Sequence, residues 1–257
     1  MSKVVMCLCS HKKAEFPKDE IYVPIIVGSG KEDKELTSLY QTDDKGKNIS
    51  EKNSNYCELT ALYYAWKNLD YDVIGLVHYR RLFLDKNSSK KKIEYAIKKE
   101  TIEKLLSEYD FILPKKRNYY IESNYSHYIH AHHQEPLDET RKIIEEKYPE
   151  YLESFDKHMK KRSGHYFNMF IAKKETADKF LIWMFDILFE LEKRVDLSNY
   201  SKNEKRVFGF ISELLFDVYI SANKLKVHDQ KYVFLEKQNW CRKIFNFIKR
   251  KFVKVEK

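Results

Sequence analysis

The sequence of 257 residues predicts an α/β fold with a helical C-terminal portion. Residues 73–77 form an unbroken apolar run, which is typical of a strand buried on both faces of a sheet covered by helices. Strands and helices alternate in the first half of the chain, and helices dominate the second half. Only 6 glycines and 5 prolines occur, and this scarcity of turn-forming residues disfavours an all-β sandwich.

The first half is predicted to begin with two strands and to reach the buried strand through a capped helix. The predicted elements are, in order, strand 3–9, strand 21–27, a polar loop 32–47, helix 50–68, strand 73–77, helix 93–107 and strand 109–113. Pro24 indicates an edge or irregular conformation for the second strand. Ser50 is a residue type that caps helices, and apolar residues recur behind it at helical spacing.

The second half is predicted to be mostly helical. Its predicted elements are helices 136–148 and 151–161, strand 166–172, helix 174–195, a helix within 203–225 and a last strand within 227–235. Trp240, Ile244, Ile248 and Phe252 then fall four apart, with lysines and arginines between them. This pattern predicts an amphipathic helix that lies on an anionic membrane surface, or one that packs on the protein's own core or on a second subunit. The chain therefore divides into a domain of residues 1–238 and a basic tail of residues 239–257.

The charge of the chain indicates an anionic partner or a lysine-rich surface. The formal net charge is +9, which suits a nucleotide, a nucleic acid or an acidic lipid. Four cysteines occur without a Cys-x-x-Cys pair, so we expect reduced thiols and a cytosolic protein. The N-terminus does not resemble a signal peptide, and no apolar run is long enough to span a membrane.

The common catalytic motifs are absent from the sequence. No Gly-x-Gly-x-x-Gly, Walker, His-Glu-x-x-His or Gly-x-Ser-x-Gly pattern occurs, which removes the usual support for dinucleotide enzymes, P-loop enzymes, zincins and α/β-hydrolases. No Asp-x-Asp pair follows an apolar strand. His127, His130, His132 and His133 fit no standard zinc spacing, so a surface position or a contact with sugar or phosphate is favoured over a metal site.

A polar tetrad, His78, Tyr79, Arg80 and Arg81, follows the buried strand. Ligands of open α/β sheets bind beyond the carboxyl ends of the strands. Two adjacent guanidinium groups there suit a phosphate-rich ligand. Alternatively, these arginines pair with carboxylates on neighbouring helices.

Several long phrases together resemble a bacterial family. They are SHKKAEFPKDEIYVPIIVG, NISEKNSNYCELTALYYAWKN, IGLVHYRRLF, YFNMFIAKKE, FLIWMFDILFELEKR and GFISELLFDVYI. The family comprises capsular and exopolysaccharide synthesis proteins, catalogued as a domain of unknown function and grouped with glycosyltransferases. The resemblance spans about residues 3–235. It implies a GT-A-like, Rossmann-type mixed sheet and a nucleotide-sugar transferase, since some members resemble galactofuranosyltransferases.

The resemblance also implies where a uridine-diphosphate sugar would bind. The implied donor-binding residues are His11, Lys12, Asn53, Tyr56, Tyr79, Arg80 and Arg81. The arginines occupy the place where metal-dependent members carry Asp-x-Asp, so cationic side chains would neutralise the leaving diphosphate directly. We therefore expect no required cofactor and at most modest stimulation by Mg²⁺ or Mn²⁺, for which Asp43, Asp44 and the histidines would be the ligands to test.

The acceptor side follows from the same resemblance. Asn168, His130 and His133 are the implied acceptor contacts. A transferase that inverts needs a base for the acceptor hydroxyl, and the candidates are Glu213, Glu58 and His78, with Asp110 and Asp186 weaker. Each carboxylate could instead be an ion-pair partner of Arg80, Arg81 or Arg206.

The sequence thus predicts a glycosyltransferase at the inner face of the cell membrane. It would move galactofuranose or another hexose from a UDP-sugar onto a lipid-linked capsular, exopolysaccharide or lipopolysaccharide glycan. An inactive member that only binds glycan or nucleotide is a second hypothesis. A basic nucleic-acid-binding protein is a third, although the aromatic residues have core spacing and no nucleic-acid motif occurs.

Overall fold

The computed structural model describes residues 2–85 and 93–236. The strands are β1 (Val4–Ser10), β2 (Tyr22–Ile26), β3 (Gln41–Thr42), β4 (Val73–His78), β5 (Arg81–Phe83), β6 (Phe111–Pro114), β7 (Arg117–Asn118), β8 (Ser163–Gly164), β9 (Phe170–Lys173), β10 (Val227–Gln230) and β11 (Tyr232–Phe234). The α-helices are α1 (Lys34–Leu39), α2 (Asn53–Tyr56), α3 (Leu59–Asn68), α4 (Lys99–Leu106), α5 (Asn124–Ala131), α6 (Glu135–Lys147), α7 (Leu152–Lys160), α8 (Lys174–Arg194) and α9 (Val207–Ala222). The predicted tail 239–257 and its boundary at residue 238 lie outside these residues.

A mixed sheet forms the centre of the described structure, in the strand order β10-β6-β9-β4-β1-β2-β3. β1 pairs in parallel with β2 and β4, whereas β9 is antiparallel to both β4 and β6. β5 pairs antiparallel with β4 and extends the sheet to β11. β7 and β8 form a separate antiparallel pair. The predicted α/β class with a mixed sheet flanked by helices is confirmed.

Alternation along the central strands explains why both faces of the sheet are covered. All seven residues of β1 and all six of β4 are buried. Val5, Cys7 and Cys9 pack into one core with α3, α8 and α9. Val4, Met6 and Leu8 point to the opposite core, which includes α4. Successive strand residues face opposite sides, so an apolar residue at every position is what a doubly covered strand requires.

The helix predicted for residues 50–68 is interrupted. A 3₁₀ turn (Ser50–Lys52) leads into α2, and Cys57 then separates α2 from α3 with a positive φ of 53°. Ser50 is not the cap, because its hydroxyl donates to Asp43 Oδ1 at 2.6 Å. Within the predicted loop 32–47 lies α1, whose N-cap is Asp33. Pro24 lies where β2 lacks a neighbour on its outer side, since β3 pairs only with the last two residues of β2.

Most of the remaining predictions hold to within a few residues, including β6, α6, α7, α8, α9 and β10. The run 166–172 differs, because the strand begins only at Phe170. The helix predicted for residues 93–107 also differs, because a 3₁₀ turn (Ile93–Tyr95) comes first and α4 begins only at Lys99. Within the described part of the chain, no helix is both long and apolar enough to cross a lipid bilayer.

Candidate active site

A cleft of about 830 Å³ opens at the carboxyl ends of β1, β2 and β4. This is the edge of an open α/β sheet at which ligands usually bind. The cleft is lined by Cys9, His11, Val27, Ser29, Asn53, Ser54, Cys57, Glu58, His78, Tyr79, Arg80, Lys202, Asn203, Lys205 and Arg206. We call it the donor cleft.

Two glycines allow the loop after β2 to line the donor cleft. A Cβ on Gly30 would lie 2.7 Å from the backbone carbon of His11, so a larger residue would push apart the loops after β1 and β2. Gly28 has a φ of +51°, and a Cβ there would lie 2.4 Å from Asn53 Oδ1. Glycine is the residue that tolerates both the close approach and the left-handed backbone.

Two guanidinium groups, those of Arg80 and Arg206, line the donor cleft. Arg80 follows β4, and Arg206 directly precedes α9. Neither forms an ion pair with a carboxylate of residues 2–85 or 93–236. Arg206 is held by its Nε, which donates to Cys57 Sγ at 3.1 Å. The alternative that Arg80, Arg81 or Arg206 pairs with a helix carboxylate is therefore not found among the described residues.

Glu58 is a buried carboxylate in the wall of the donor cleft. The positive φ of Cys57 ends α2 and places Glu58 at the start of α3. Asn168 Nδ2 donates to Glu58 Oε1 at 2.9 Å, and His78 Nε2 lies 3.3 Å from the same oxygen. Burial alone would raise the pKa of Glu58, but the imidazole of His78 and the amide of Asn168 outweigh it and hold the pKa below its ordinary value. Glu58 is therefore a carboxylate at neutral pH.

A smaller pocket of about 280 Å³ adjoins the donor cleft, and Arg80 and Arg206 line both. Its other lining residues are Arg81, Arg117, Tyr119, Asn124, His127, Tyr128, His132, Tyr166, Phe167, Phe210, Glu213 and Leu214. We call it the second pocket. Burial, reinforced by the charge of Glu58, raises the pKa of Glu213 to about 7.

A left-handed turn before β9 links the two carboxylates. Phe167 and Asn168 have φ values of 78° and 55°, a conformation that asparagine tolerates better than most residues. Phe167 lines the second pocket together with Glu213. Asn168 donates to Glu58 and to the carbonyl of Gly209, and it accepts from the Ser212 hydroxyl. One short turn therefore holds Glu58 in the donor cleft and supplies a wall of the pocket that contains Glu213.

His165 anchors this turn to the rest of the sheet. Its Nδ1 lies 2.8 Å from Asp217 Oδ1 and its Nε2 lies 2.9 Å from Asp229 Oδ1. Burial would lower the pKa of His165, but the two carboxylates outweigh burial and raise it. The imidazole therefore ties the segment before β9 to α9 and to β10.

The structure brings together most, but not all, of the predicted donor residues. His11, Asn53, Tyr79 and Arg80 line the donor cleft with Glu58 and His78. Arg81 lines the second pocket instead. Lys12 does not line either site, and its Nζ pairs with Glu236 at 2.7 Å. Tyr56 is fully buried, with its hydroxyl 3.3 Å from the Leu188 carbonyl oxygen, so it lies in the core and not in the cleft.

The predicted acceptor residues lie differently from what the sequence suggested. Asn168 is 1% exposed, so its contacts favour a positioning role over a direct contact with sugar. His130 Nδ1 lies 2.7 Å from Glu122, and His133 Nε2 lies 3.2 Å from Glu204. Neither imidazole lines the donor cleft or the second pocket. His127 and His132, from the same histidine-rich segment, line the second pocket.

The weaker candidate bases lie apart from both pockets. Asp110 accepts from the backbone N–H of Lys226 at 2.8 Å. Asp186 accepts from the Tyr148 hydroxyl at 2.8 Å and pairs with Lys147. Both carboxylates therefore have structural partners. Neither is a lining residue of the donor cleft or of the second pocket.

Sequence reasoning missed the contribution of the segment before α9. Lys202, Asn203, Lys205 and Arg206 supply one wall of the donor cleft, although they are far in sequence from the tetrad after β4. The available signal was a run of basic residues directly before a helix. On its own such a run is more often an exposed, solvated surface than a binding site, and only the packing of α9 against α2 brings it to the cleft.

Glu58 is the carboxylate among the described residues that line the donor cleft. Within the described ranges, no group of three or more His, Cys, Asp or Glu side chains could hold a metal ion. The residues after β4 are an imidazole, a phenol and two guanidinium groups, whereas Mg²⁺ prefers oxygen ligands. Asp43 Oδ1 instead accepts from Ser50, and Asp44 accepts from Thr42 at 2.6 Å.

The family model "Domain of unknown function (DUF4422)" matches residues 5–224. The chain belongs to this family. The DUF4422 match includes every residue named above as lining the donor cleft or the second pocket. The resemblance drawn from the sequence phrases is thereby confirmed as a family of unknown-function domains.

A solved structure shares this fold. The chain is similar to the apo structure of the WbbM bifunctional glycosyltransferase, with 31% sequence identity and a TM-score of 0.83. The match covers 91% of this chain and 46% of that one, so the chain spans about half the length of WbbM. Among curated proteins, none matches the chain. The GT-A-like character expected from the sequence agrees with this match to a glycosyltransferase structure.

Proposed function

We propose that this DUF4422 protein is a glycosyltransferase that uses a nucleotide-sugar donor. The fold of WbbM, a bifunctional glycosyltransferase, supports the reaction class. The site geometry supports it independently, because a large cleft for a nucleotide adjoins a small pocket that contains a carboxyl group.

One observation carries this proposal: Arg80 and Arg206 line both the donor cleft and the second pocket. In glycosyl transfer, the acceptor oxygen bonds to the anomeric carbon while the bond from that carbon to the β-phosphate oxygen breaks. Negative charge therefore develops on the diphosphate between donor and acceptor. Preorganised guanidinium groups at that boundary stabilise the leaving diphosphate as the charge forms.

Glu213 is the proposed general base. It lies in the second pocket, where the acceptor would place its hydroxyl, and Phe167 lines the same pocket. A carboxyl group with a pKa near the working pH accepts a proton effectively and is also available as the base for much of the time. The proton of the acceptor hydroxyl would pass to Glu213 as the new glycosidic bond forms.

Glu58 and His78 have a different proposed role, on the donor side. Glu58 lines the donor cleft as a carboxylate held by Asn168 and His78. Burial lowers the pKa of His78; Glu58 raises it, and Arg81 and Arg80 lower it further. The imidazole of His78, which lies beside the buried carboxylate of Glu58, is placed to hydrogen-bond to hydroxyls of the donor sugar.

The finer features of the substrates are proposed from the sequence resemblance. The donor would be a UDP-sugar, with galactofuranose or another hexose as the transferred unit. The acceptor would be a lipid-linked capsular, exopolysaccharide or lipopolysaccharide glycan at the inner face of the cell membrane. No metal cofactor is proposed, because the groups that meet the diphosphate are guanidinium groups.

A panel of nucleotide sugars tests the proposal. The full chain is incubated with each nucleotide sugar, and release of nucleoside diphosphate is measured with and without a glycan acceptor. Calorimetry measures binding of UDP and of a short single-stranded oligonucleotide in parallel. Turnover with one UDP-sugar is the expected result. Binding of UDP without turnover of any donor would support the inactive alternative, and binding of the oligonucleotide alone would support the nucleic-acid hypothesis.

Membrane docking by residues 239–257 is a separate proposal that rests on the sequence pattern alone. Each basic residue near anionic lipid contributes on the order of 1 kcal/mol. The full chain is expected to sediment with anionic vesicles, less so at high salt, whereas a chain that ends at Gln238 is expected to stay in solution and folded. Unfolding of the shortened chain, or no sedimentation of either chain, would contradict membrane docking.

A further inference from the structure

The second pocket contains an excess of positive charge that the leaving diphosphate does not explain. This pocket of about 280 Å³ is lined by four arginines, which are Arg80, Arg81, Arg117 and Arg206. Glu213 is the acidic residue among the lining residues. None of the four arginines forms an ion pair with a carboxylate in the part of the chain that the structure describes. A desolvated charge is costly unless a partner neutralises it, so the partly buried guanidinium groups of Arg80, Arg81 and Arg206 indicate an anionic ligand.

The four arginines divide into two pairs. Arg80 and Arg206 are shared with the donor cleft, so the diphosphate of the proposed donor accounts for them. Arg81 and Arg117 line only the second pocket. The diphosphate therefore does not account for the guanidinium groups of Arg81 and Arg117, which lie in the pocket proposed for the acceptor.

Arg81 is held in place for such a contact. Its guanidinium carbon lies 4.5 Å from the centre of the Phe167 ring and 5.8 Å from that of Phe234. Its buried Nε has no hydrogen-bond partner among residues 2–85 and 93–236. Stacking on aromatic rings fixes the plane of the guanidinium group, and a fixed plane favours two parallel hydrogen bonds to a carboxylate or phosphate.

Arg117 reaches the pocket from a different strand than Arg81 does. It belongs to the short strand β7, and its guanidinium carbon lies 5.6 Å from the centre of the Tyr119 ring. Tyr119 and Phe210 supply aromatic walls against which the apolar face of a sugar ring can pack. A pocket of 280 Å³ lies just below the range of about 300–1,000 Å³ that drug-sized ligands occupy, so it suits one sugar unit and not an oligosaccharide.

We propose that the second pocket is an acceptor subsite for a sugar unit that carries a negatively charged group, bound by Arg81 and Arg117. The group is a carboxylate, as in a hexuronate, or a phosphate attached to the sugar. The inference rests on the proposed glycosyltransferase function and adds the chemical class of the acceptor.

Binding of small probes in the presence of saturating UDP tests this inference. UDP occupies the donor cleft, and calorimetry or saturation-transfer NMR then measures binding of methyl glucoside, methyl glucuronide and glucose 6-phosphate. We expect the anionic probes to bind at least about tenfold more tightly than methyl glucoside, because an arginine contact with an anion is a charge-assisted hydrogen bond. A preference for the uronide or for the phosphate identifies the source of the charge.

Three arginine variants separate this subsite from the donor cleft. Arg117→Gln is expected to remove most of the preference for anionic probes and to leave UDP affinity unchanged, because Arg117 is exposed and outside the donor cleft. Arg81→Lys keeps the charge, loses the planar fork and is expected to weaken the preference. Arg141→Gln is the matched control, since it removes the same charge from the surface of α6.

The outcomes distinguish this inference from the proposed function. Equal binding of neutral and anionic probes by the parent protein, or no binding of any probe, overturns the anionic acceptor. A loss of UDP affinity in Arg117→Gln also overturns it, because the second pocket would then belong to the donor. Failure of the parent protein to bind UDP overturns the proposed function and is measured separately.

Discussion

The donor cleft and the second pocket each contain one glutamate, and the two glutamates have opposite properties. The pKa of Glu58 lies below its ordinary value, because His78 and Asn168 stabilise the carboxylate more than burial destabilises it. Burial and the charge of Glu58 raise the pKa of Glu213 to about 7. A single turn connects their surroundings, because Asn168 donates to Glu58 and Phe167 lines the second pocket with Glu213. Neighbouring groups whose pKa values are pushed apart by their surroundings are typical of a site that assigns them different roles.

The difference supports the proposal that Glu213, and not Glu58, accepts the proton of the acceptor hydroxyl. A carboxylate that stays charged at every physiological pH orients polar groups well but accepts a proton poorly. Glu213 changes protonation near neutral pH and lies in the pocket without the nucleotide. The sequence does not show this difference, because Glu58 and Glu213 both occur in apolar helical segments that look alike.

Replacement of Glu213 is expected to have the largest effect. Glu213→Gln should lower turnover by about 10²- to 10⁴-fold, the usual contribution of general base catalysis, and should leave UDP affinity unchanged. Its thermal midpoint at pH 8 should not fall, because a carboxyl group whose folded pKa is raised destabilises the fold above that pKa. Glu145→Gln, on the exposed face of α6, is the control. Near-normal turnover of Glu213→Gln would move the base to Glu58 or to a histidine.

The arginines at the boundary of the two pockets should have the next largest effect. Arg80→Gln and Arg206→Gln should each weaken UDP binding by about 10- to 150-fold, which corresponds to about 1.5–3 kcal/mol for a charge-assisted hydrogen bond. Calorimetry measures this loss, and Arg141→Gln should bind UDP like the parent protein. If both variants keep parental affinity while their folds are intact, the diphosphate does not lie between the pockets.

The pH dependence of the reaction should report Glu213 and not Glu58. A base must be deprotonated, so kcat/KM should fall as the pH decreases through about 7, the raised pKa of Glu213. Glu58 stays ionised throughout this range and should contribute no change between pH 5 and 8. The same limb should be missing from the residual activity of Glu213→Gln. If kcat/KM of that variant still decreases as the pH falls through about 7, the decrease belongs to another group, and His78 is the next candidate.

The sequence predicted the sheet well because burial on two faces leaves a strong pattern. Continuous apolar runs marked β1 and β4, and long helical spacing marked α8 and α9. The interruption at Cys57 and the turn at Phe167 and Asn168 were not predicted. These residues have positive φ values without glycine, and packing of α9 around them, not local preference, maintains that backbone.

Apart from the family resemblance, the sequence predicted only those site residues that come directly after a predicted strand. Arg80, Tyr79 and His78 could be placed because they follow a buried strand. Arg206 could not, since its position depends on how α9 packs against α2 in three dimensions. Tyr56 illustrates the opposite error, because an aromatic residue in a polar phrase was expected at the donor and is instead fully buried in the core.

Removal of metal ions should have the smallest effect on turnover. The experiment also tests whether the low pKa of Glu58 reflects a metal-binding role that Glu213 lacks. If guanidinium groups meet the diphosphate, treatment with a chelator should leave turnover unchanged or lower it only modestly, and added Mg²⁺ or Mn²⁺ should restore little. Glu58 is the carboxylate among the described lining residues of the donor cleft, so it is the first ligand to consider if a metal is required. Loss of turnover with chelator, and recovery with Mn²⁺, would contradict the metal-independent proposal. The low pKa of Glu58 would then reflect a residue suited to bind a cation, and Glu58→Gln should abolish the recovery by Mn²⁺ while Glu213→Gln should not.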